Sequence, residues 1–136
     1  MIKVGELWTQ TKITTAEEHF ISNRIEKVII ERINQVEEVL NRRRTIILTS
    51  VEGEEHVISL LCLELMFSDI GYKIINIGLP LPVSSVVHYT KGLSGKPHWL
   101  FMSVTLRAYI GPFQRNLESI KSAFNDDIKI AIGVRD

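Results

Sequence analysis

Past residue 44 the hydrophobic pattern of the chain changes period, and this change constrains the fold more than any other feature. Four short apolar runs follow one another: TIILTS (45–50), KIINIG (73–78), HWLFMSVT (98–105) and DIKIAIG (127–133). Each has the length and β-branched content of a buried strand. Between them lie stretches at helical spacing, over 54–70, about 83–92 and about 112–124. Gly71 closes the first of these as a C-terminal cap, and Pro80 and Pro82 lead into the second. The segment GLSGKP (92–97) is a loop. Strands alternating with helices imply βαβ units, a parallel sheet and right-handed crossovers. A doubly wound sheet usually continues past its fourth strand, whereas residue 136 follows Gly133 by three residues, so the sheet is expected to be truncated.

The first third of the chain reads differently. Val4, Leu7 and Trp8 suit the end of a helix over residues 1–10. A second helix opens at Thr14-Thr15-Ala16-Glu17-Glu18, where Thr14 with Glu17, or Thr15 with Glu18, supplies a capping box. From there Phe20, Ile21, Ile25, Val28, Ile29, Val36 and Leu40 recur at helical spacing to about residue 41. A lone amphipathic helix is marginal in water. The helical part is therefore expected to be half of a bundle, completed by a second chain, by further sequence or by the α/β part. The run Asn41-Arg42-Arg43-Arg44 separates the two parts, either as a solvated helix end or as a phosphate or nucleic-acid patch. The expected division is a helical cap over 1–43 and an α/β domain over 44–136.

Composition excludes several classes of partner. The chain is 45% hydrophobic and 24% charged, with a net charge of +0. Nothing electrostatic points to direct contact with DNA or with a membrane surface. No stretch reaches the length of a membrane span, and MIKVGELW lacks the apolar core of a signal peptide. The single cysteine, Cys62, lies in the apolar run LLCLELMF and reads as a buried thiol in a reducing compartment. The expected location is the cytoplasm.

The chemistry gathers where the strands end. Glu54-Glu55-His56 follows the first strand, at the edge of an open α/β sheet where ligands bind. A histidine two residues after a carboxylate has the composition of an axial metal ligand with a partner for its other N–H. The same residues also suit a helix start, with Glu54 and Glu55 favouring the positive end of the dipole. Ser103 and Thr105 close the third strand and Gly133 the fourth, so all can line one groove. In the helical part Trp8 precedes Glu18-His19 by ten residues (18 minus 8). His88 and His98 read as structural. There is no GxGxxG, Walker A, CxxC, HExxH or GxSxG pattern. The chain is expected to bind rather than catalyse.

GELWTQTKITTAEEHFISNRI (5–25), followed by SVEGEEHVISLLCLELMFSDIGYKIINIGLPLPVSSVV (50–87), resembles the cobalamin-binding module of MerR-type, light- or cobalamin-responsive transcriptional regulators. It resembles the corrinoid domains of methionine synthase and corrinoid methyltransferases more distantly. The resemblance runs from about residue 4 to 133. It implies a flavodoxin-like, Rossmann-related sheet holding the lower face and nucleotide tail of cobalamin, under a helical bundle that covers the upper face. Trp8 and Glu18-His19 keep the spacing of the upper-face signature. Glu54-Glu55-His56-Val57-Ile58-Ser59 matches the lower-face signature Asp/Glu-x-His-x-x-Gly, except that Ser59 stands where glycine is expected. Ser103-Val104-Thr105 matches the Ser-x-Thr/Leu element of the tail pocket.

What the resemblance implies is a sensory module binding adenosyl- or methylcobalamin. His56 would be the lower cobalt ligand, and Glu54 would accept its other N–H. Glu55, Val57, Ile58 and Ser59 would line the lower face, with Ser103, Thr105 and Gly133 along the tail. Trp8 would be an apolar lid, and Glu18 and His19 would lie above the corrin. A homo-oligomer or partner chain would complete the bundle. The chain departs from the family at Ser59, at Gly133-Val134 in place of Gly-Gly, and at Thr9, where photoreceptor members carry a histidine. A corrinoid carrier for a methyltransferase is the enzyme-linked alternative. The third is a degenerate module that serves protein contacts or another tetrapyrrole such as haem.

Overall fold

The computed structural model describes residues 13–36, 44–50, 57–78, 81–95, 97–104, 117–118, 120–124 and 127–134. Its elements run α1 (Thr15–Asn34), β1 (Thr45–Ser50), α2 (Ile58–Asp69), β2 (Lys73–Gly78), α3 (Val83–Lys91), β3 (Trp99–Val104) and β4 (Lys129–Val134). Residues 117–118 and 120–124 are helical between β3 and β4. The strands form one parallel sheet in the order β2-β1-β3-β4. This is the flavodoxin-like order, and the switch point, where the winding reverses, lies between β1 and β3.

Alternation along the strands assigns the two faces. Ile46 and Leu48 of β1 pack with Leu60, Leu63 and Phe67 of α2, joined by Ile74, Trp99 and Phe101. Ile47, Leu100 and Met102 point the other way, against Val86 of α3 and Ile120 and Phe124 of the last helical segment. One helix lies on one face and two on the other, as expected when all crossovers share one hand and the winding reverses after β2. Ile47, Leu48, Leu60 and Leu100 are fully buried, and each such side chain stabilises by about 1.5–3 kcal/mol.

α2 is apolar on nearly every side because it is covered on two. Leu60, Leu63 and Phe67 meet the sheet, and α1 runs alongside the helix. It begins at Ile58, with Val57 as N-cap, rather than at residue 54. The apolar residues that can dock on the sheet start there. Residues 54–56 lie outside the described residues. Gly71 ends it as expected, at φ +88°. Tyr72 N donates to Phe67 O and Gly71 N to Ser68 O, both at 3.0 Å, which is a Schellman motif. The Phe67 and Tyr72 rings meet edge-on at 6.0 Å and complete it. Cys62 is half-buried rather than buried, since it lies in the one helix that is shared between sheet and α1.

α1 opens with the capping box of Thr14 and Glu17, not Thr15 and Glu18. Its partly covered row is Ile21, Ile25, Ile29 and Ile33, at strict four-residue spacing. Phe20 and Val28, expected on the same stripe, are 64% and 65% exposed. Phe20 is adjacent to Ile21, and two consecutive helical residues cannot both face α2. The helix ends at Asn34 with Gln35 as C-cap, short of residue 41, and residues 37–43 lie outside the described residues. The early helix end proposed for 1–10 lies outside them too. Among the described residues no helix is long and apolar enough to cross a membrane.

Candidate functional site

Register places a row of small residues at the carboxyl edge of the sheet. Ser50 of β1 pairs with Ser103 of β3, and Ser103 with Gly133 of β4. On the other side Ser50 Oγ donates to Gly78 O at 3.4 Å, where β2 ends. The row Gly78, Ser50, Ser103, Gly133 thus crosses all four strands at the edge where open α/β sheets bind ligands. Ser50 and Ser103 are buried, and a Cβ added at Gly133 would meet nothing within 4 Å. Thr49, fully buried beside Ser50, donates from Oγ1 to Ser50 O at 3.4 Å.

One helix residue reaches this row. Ser59, in the first turn of α2, lies with its Oγ 3.1 Å from Ser103 Oγ. The contact follows from alternation: Trp99, Phe101 and Ser103 share the strand face covered by α2. The two residues expected to flank the groove from its two sides are therefore bonded to each other across it. Val57 precedes α2 without making a side-chain cap bond, and no acidic residue lies in the first turn. The positive end of that helix dipole therefore faces the carboxyl edge without a carboxylate in its own first turn to offset it. Val57 is half-buried, and Ile58 is buried.

A polar relay holds β2 beside the row. Asn76 Nδ2 donates to Glu64 Oε2 at 2.7 Å, and Asn76 Oδ1 accepts from Gly78 N at 2.9 Å. Gly78 has φ +78°, a conformation that glycine adopts without steric cost. The register of β1 and β2 shifts at the same place, between Leu48 and Thr49. Ser50, Gly78, Asn76 and Glu64 were not expected in the site. A sequence signal for the first two was present, since every one of the four strands carries Ser or Gly at or just before its end.

The other expected site residues divide into two groups. Glu18 and His19 lie in the first turn of α1, where Glu18 Oε1 accepts from Ser22 Oγ at 2.7 Å and His19 is exposed. Trp8, Glu54, Glu55, His56 and Thr105 lie outside the described residues. Among the described residues no group of three His, Cys, Asp or Glu side chains gathers as a metal site. His98 Nδ1 accepts from Thr45 N at 3.4 Å, at the start of β1, and His88 is exposed in the last turn of α3.

The fold has solved relatives. The chain matches a cobalamin-binding protein from Desulfitobacterium hafniense with a TM-score of 0.57 and 20% identity, over 97% of this chain and 62% of that one. It matches the monomethylamine corrinoid protein of Methanosarcina barkeri with a TM-score of 0.68 and 18% identity, over 96% of this chain and 62% of that one. The chain therefore spans less than two thirds of either structure. No protein-family model matches the sequence. No curated protein matches it at the sequence level.

Proposed function

We propose that this chain is a cobalamin-binding sensory module of the kind attached to MerR-type transcriptional regulators. The observation that supports it best is the row Gly78, Ser50, Ser103, Gly133 at the carboxyl edge, beside the switch point. Two structures of the same fold are named as a cobalamin-binding and a corrinoid protein. The residues fit such a group: small side chains leave the edge open, and the Ser50 and Ser103 hydroxyls offer hydrogen bonds to a polar tail.

Bound cobalamin supplies a cobalt centre that takes axial ligands from both sides. A neutral His56 imidazole would be the lower ligand, with Glu54 holding its other N–H and so fixing the tautomer. Ser103, Thr105 and Gly133 would border the nucleotide tail. Trp8, Glu18 and His19 would cover the upper face, which carries an adenosyl or methyl group. The protein binds and reports rather than catalyses, in the cytoplasm, with DNA contacts left to a partner domain. A second copy or a partner chain would cover Phe20, Val28 and Ile30, which are exposed on α1.

The test is the visible spectrum of purified protein after addition of adenosyl- or methylcobalamin and gel filtration, in the dark and after illumination. The expected result is a comigrating spectrum with histidine-on coordination that His56→Ala loses. Equal spectra for the two proteins would remove His56 from the role.

A second reading has one observation in its favour. The Ser59 to Ser103 bond spans the groove expected for the tail, which suits a module that keeps the fold without cobalamin and serves protein contacts. Absence of any comigrating corrinoid would select it.

A further inference from the structure

Resting on the cobalamin-binding reading, we infer that the Ser59–Ser103 hydroxyl pair selects against the nucleotide tail, so that this site prefers corrinoids that lack it. Ser59 Oγ and Ser103 Oγ are 3.1 Å apart, one on the first turn of α2 and the other at the end of β3. They therefore close the passage between that helix and the strand beside the switch point. Ser103 is buried, so a tail entering there must break the bond and bury its own polar atoms among the partners left behind. Leu60, next to Ser59, is 0% exposed against the sheet, so the first turn of α2 cannot move aside cheaply.

The rest of the edge is more open. Gly133 is exposed, and a Cβ there would meet nothing within 4 Å. The cluster under α2 draws its residues from β1, β2 and β3, and none of the described residues of β4 belongs to it. A flat ring system can lie over the carboxyl edge without entering between α2 and β3. A corrinoid with its nucleotide arm cannot place the arm between them while the bond stands. Two hydroxyls at a contact where glycine would leave a gap thus act as a filter on the length of the ligand.

The probes are aquacobalamin and cobinamide, the corrinoid without the nucleotide. Both are titrated into the purified chain and into Ser59→Gly, with dissociation constants read from the visible spectrum. The expected result is that the wild-type chain binds cobinamide at least about tenfold more tightly than cobalamin, a difference well resolved by titration. In Ser59→Gly the two constants come within about twofold of each other, since opening the groove tightens the cobalamin constant. Ser59→Ala, which keeps the helix turn and removes only the hydroxyl, narrows the ratio in the same direction and covers the case in which the glycine variant folds poorly. Equal affinities in the wild-type chain, or a ratio that neither substitution changes, overturn the filter while leaving corrinoid binding intact. Binding of neither corrinoid by any of the three proteins overturns the cobalamin reading itself.

Discussion

Asn76 Nδ2 donates to Glu64 Oε2 across 2.7 Å, tying the middle of α2 to β2, the edge strand of the sheet. The other end of the same amide accepts from Gly78 N at 2.9 Å and so fixes the end of that strand. One side chain thus sets both the seat of the helix and the position of the first small residue in the edge row. Hydrogen bonds to charged groups contribute about 1.5–3 kcal/mol, more than neutral pairs. Asn76→Ala should therefore lower unfolding stability by about 1–3 kcal/mol in urea titration. Asn76→Asp should be worse still at neutral pH, because it sets two carboxylates against each other. Stability of Asn76→Asp equal to that of the wild type would show that the pair carries no energy.

The Schellman motif at the end of α2 makes a second, local prediction. Gly71 sits at φ +88°, and its N–H and that of Tyr72 satisfy two carbonyls of the last turn. A side chain at a left-handed position costs roughly 1–2 kcal/mol. A Cβ at Gly71 would meet nothing within 4 Å, so the backbone cost stands alone without a clash. Gly71→Ala should thus destabilise by about that amount, and Gly71→Asn by less, because asparagine tolerates the left-handed region. Thermal denaturation of the two variants side by side checks the order.

At the other end of the helical part, the capping box gives a pH dependence. Glu17 accepts from Thr14 N at 2.7 Å and from Thr14 Oγ1 at 2.8 Å, while Thr14 Oγ1 accepts from Glu17 N at 3.2 Å. The backbone bond first, and then the hydroxyl bond, hold the Glu17 carboxyl below its ordinary value of 4.5. A lowered folded-state value means that this contribution is fully present above the ordinary value. It is lost as pH falls through the lowered one. Thr14→Ala should remove the cap, at a cost of roughly 0.5–2 kcal/mol of helix stability. It should also return the Glu17 titration, followed by NMR of its side chain, towards the ordinary value. A Glu17 titration unmoved by Thr14→Ala would detach it from the cap.

Which of these features the sequence foretold depends on how far each one reaches. The strands, the Gly71 cap and the doubly wound order follow from period, glycine placement and the handedness of crossovers, all of which act over one or two elements. The choice between Thr14 and Thr15 was not legible, because each has a glutamate three residues on and only the geometry separates them. The stripe on α1 was misjudged at Phe20 and Val28 because several rows of a helix fit the same spacing, and packing on α2 selects the row through Ile21 and Ile25. The bond between Ser59 and Ser103 joins residues 44 positions apart. It depends on the seating of a helix on a strand. No local pattern encodes it, although each residue was singled out by itself.

The two surfaces of the helical layer should respond to substitution in opposite ways. Leu60 is fully buried between α2 and the sheet, in contact with the cluster around Ile46 and Leu48. Leu60→Ala removes apolar surface and leaves a cavity that a close-packed sheet fills only in part, so it should cost about 2–5 kcal/mol. Phe20 is 64% exposed, with the Arg24 guanidinium 5.7 Å from its ring centre. Phe20→Ser should change the stability of the isolated chain by no more than about 0.5 kcal/mol. If a second copy or partner covers this face, the same substitution lowers the association constant while leaving the monomer's stability alone. Urea titration at two protein concentrations separates these effects, because only association makes the midpoint depend on concentration. A large, concentration-independent loss in Phe20→Ser would mean that Phe20 is buried within the chain itself, contrary to its exposure on α1.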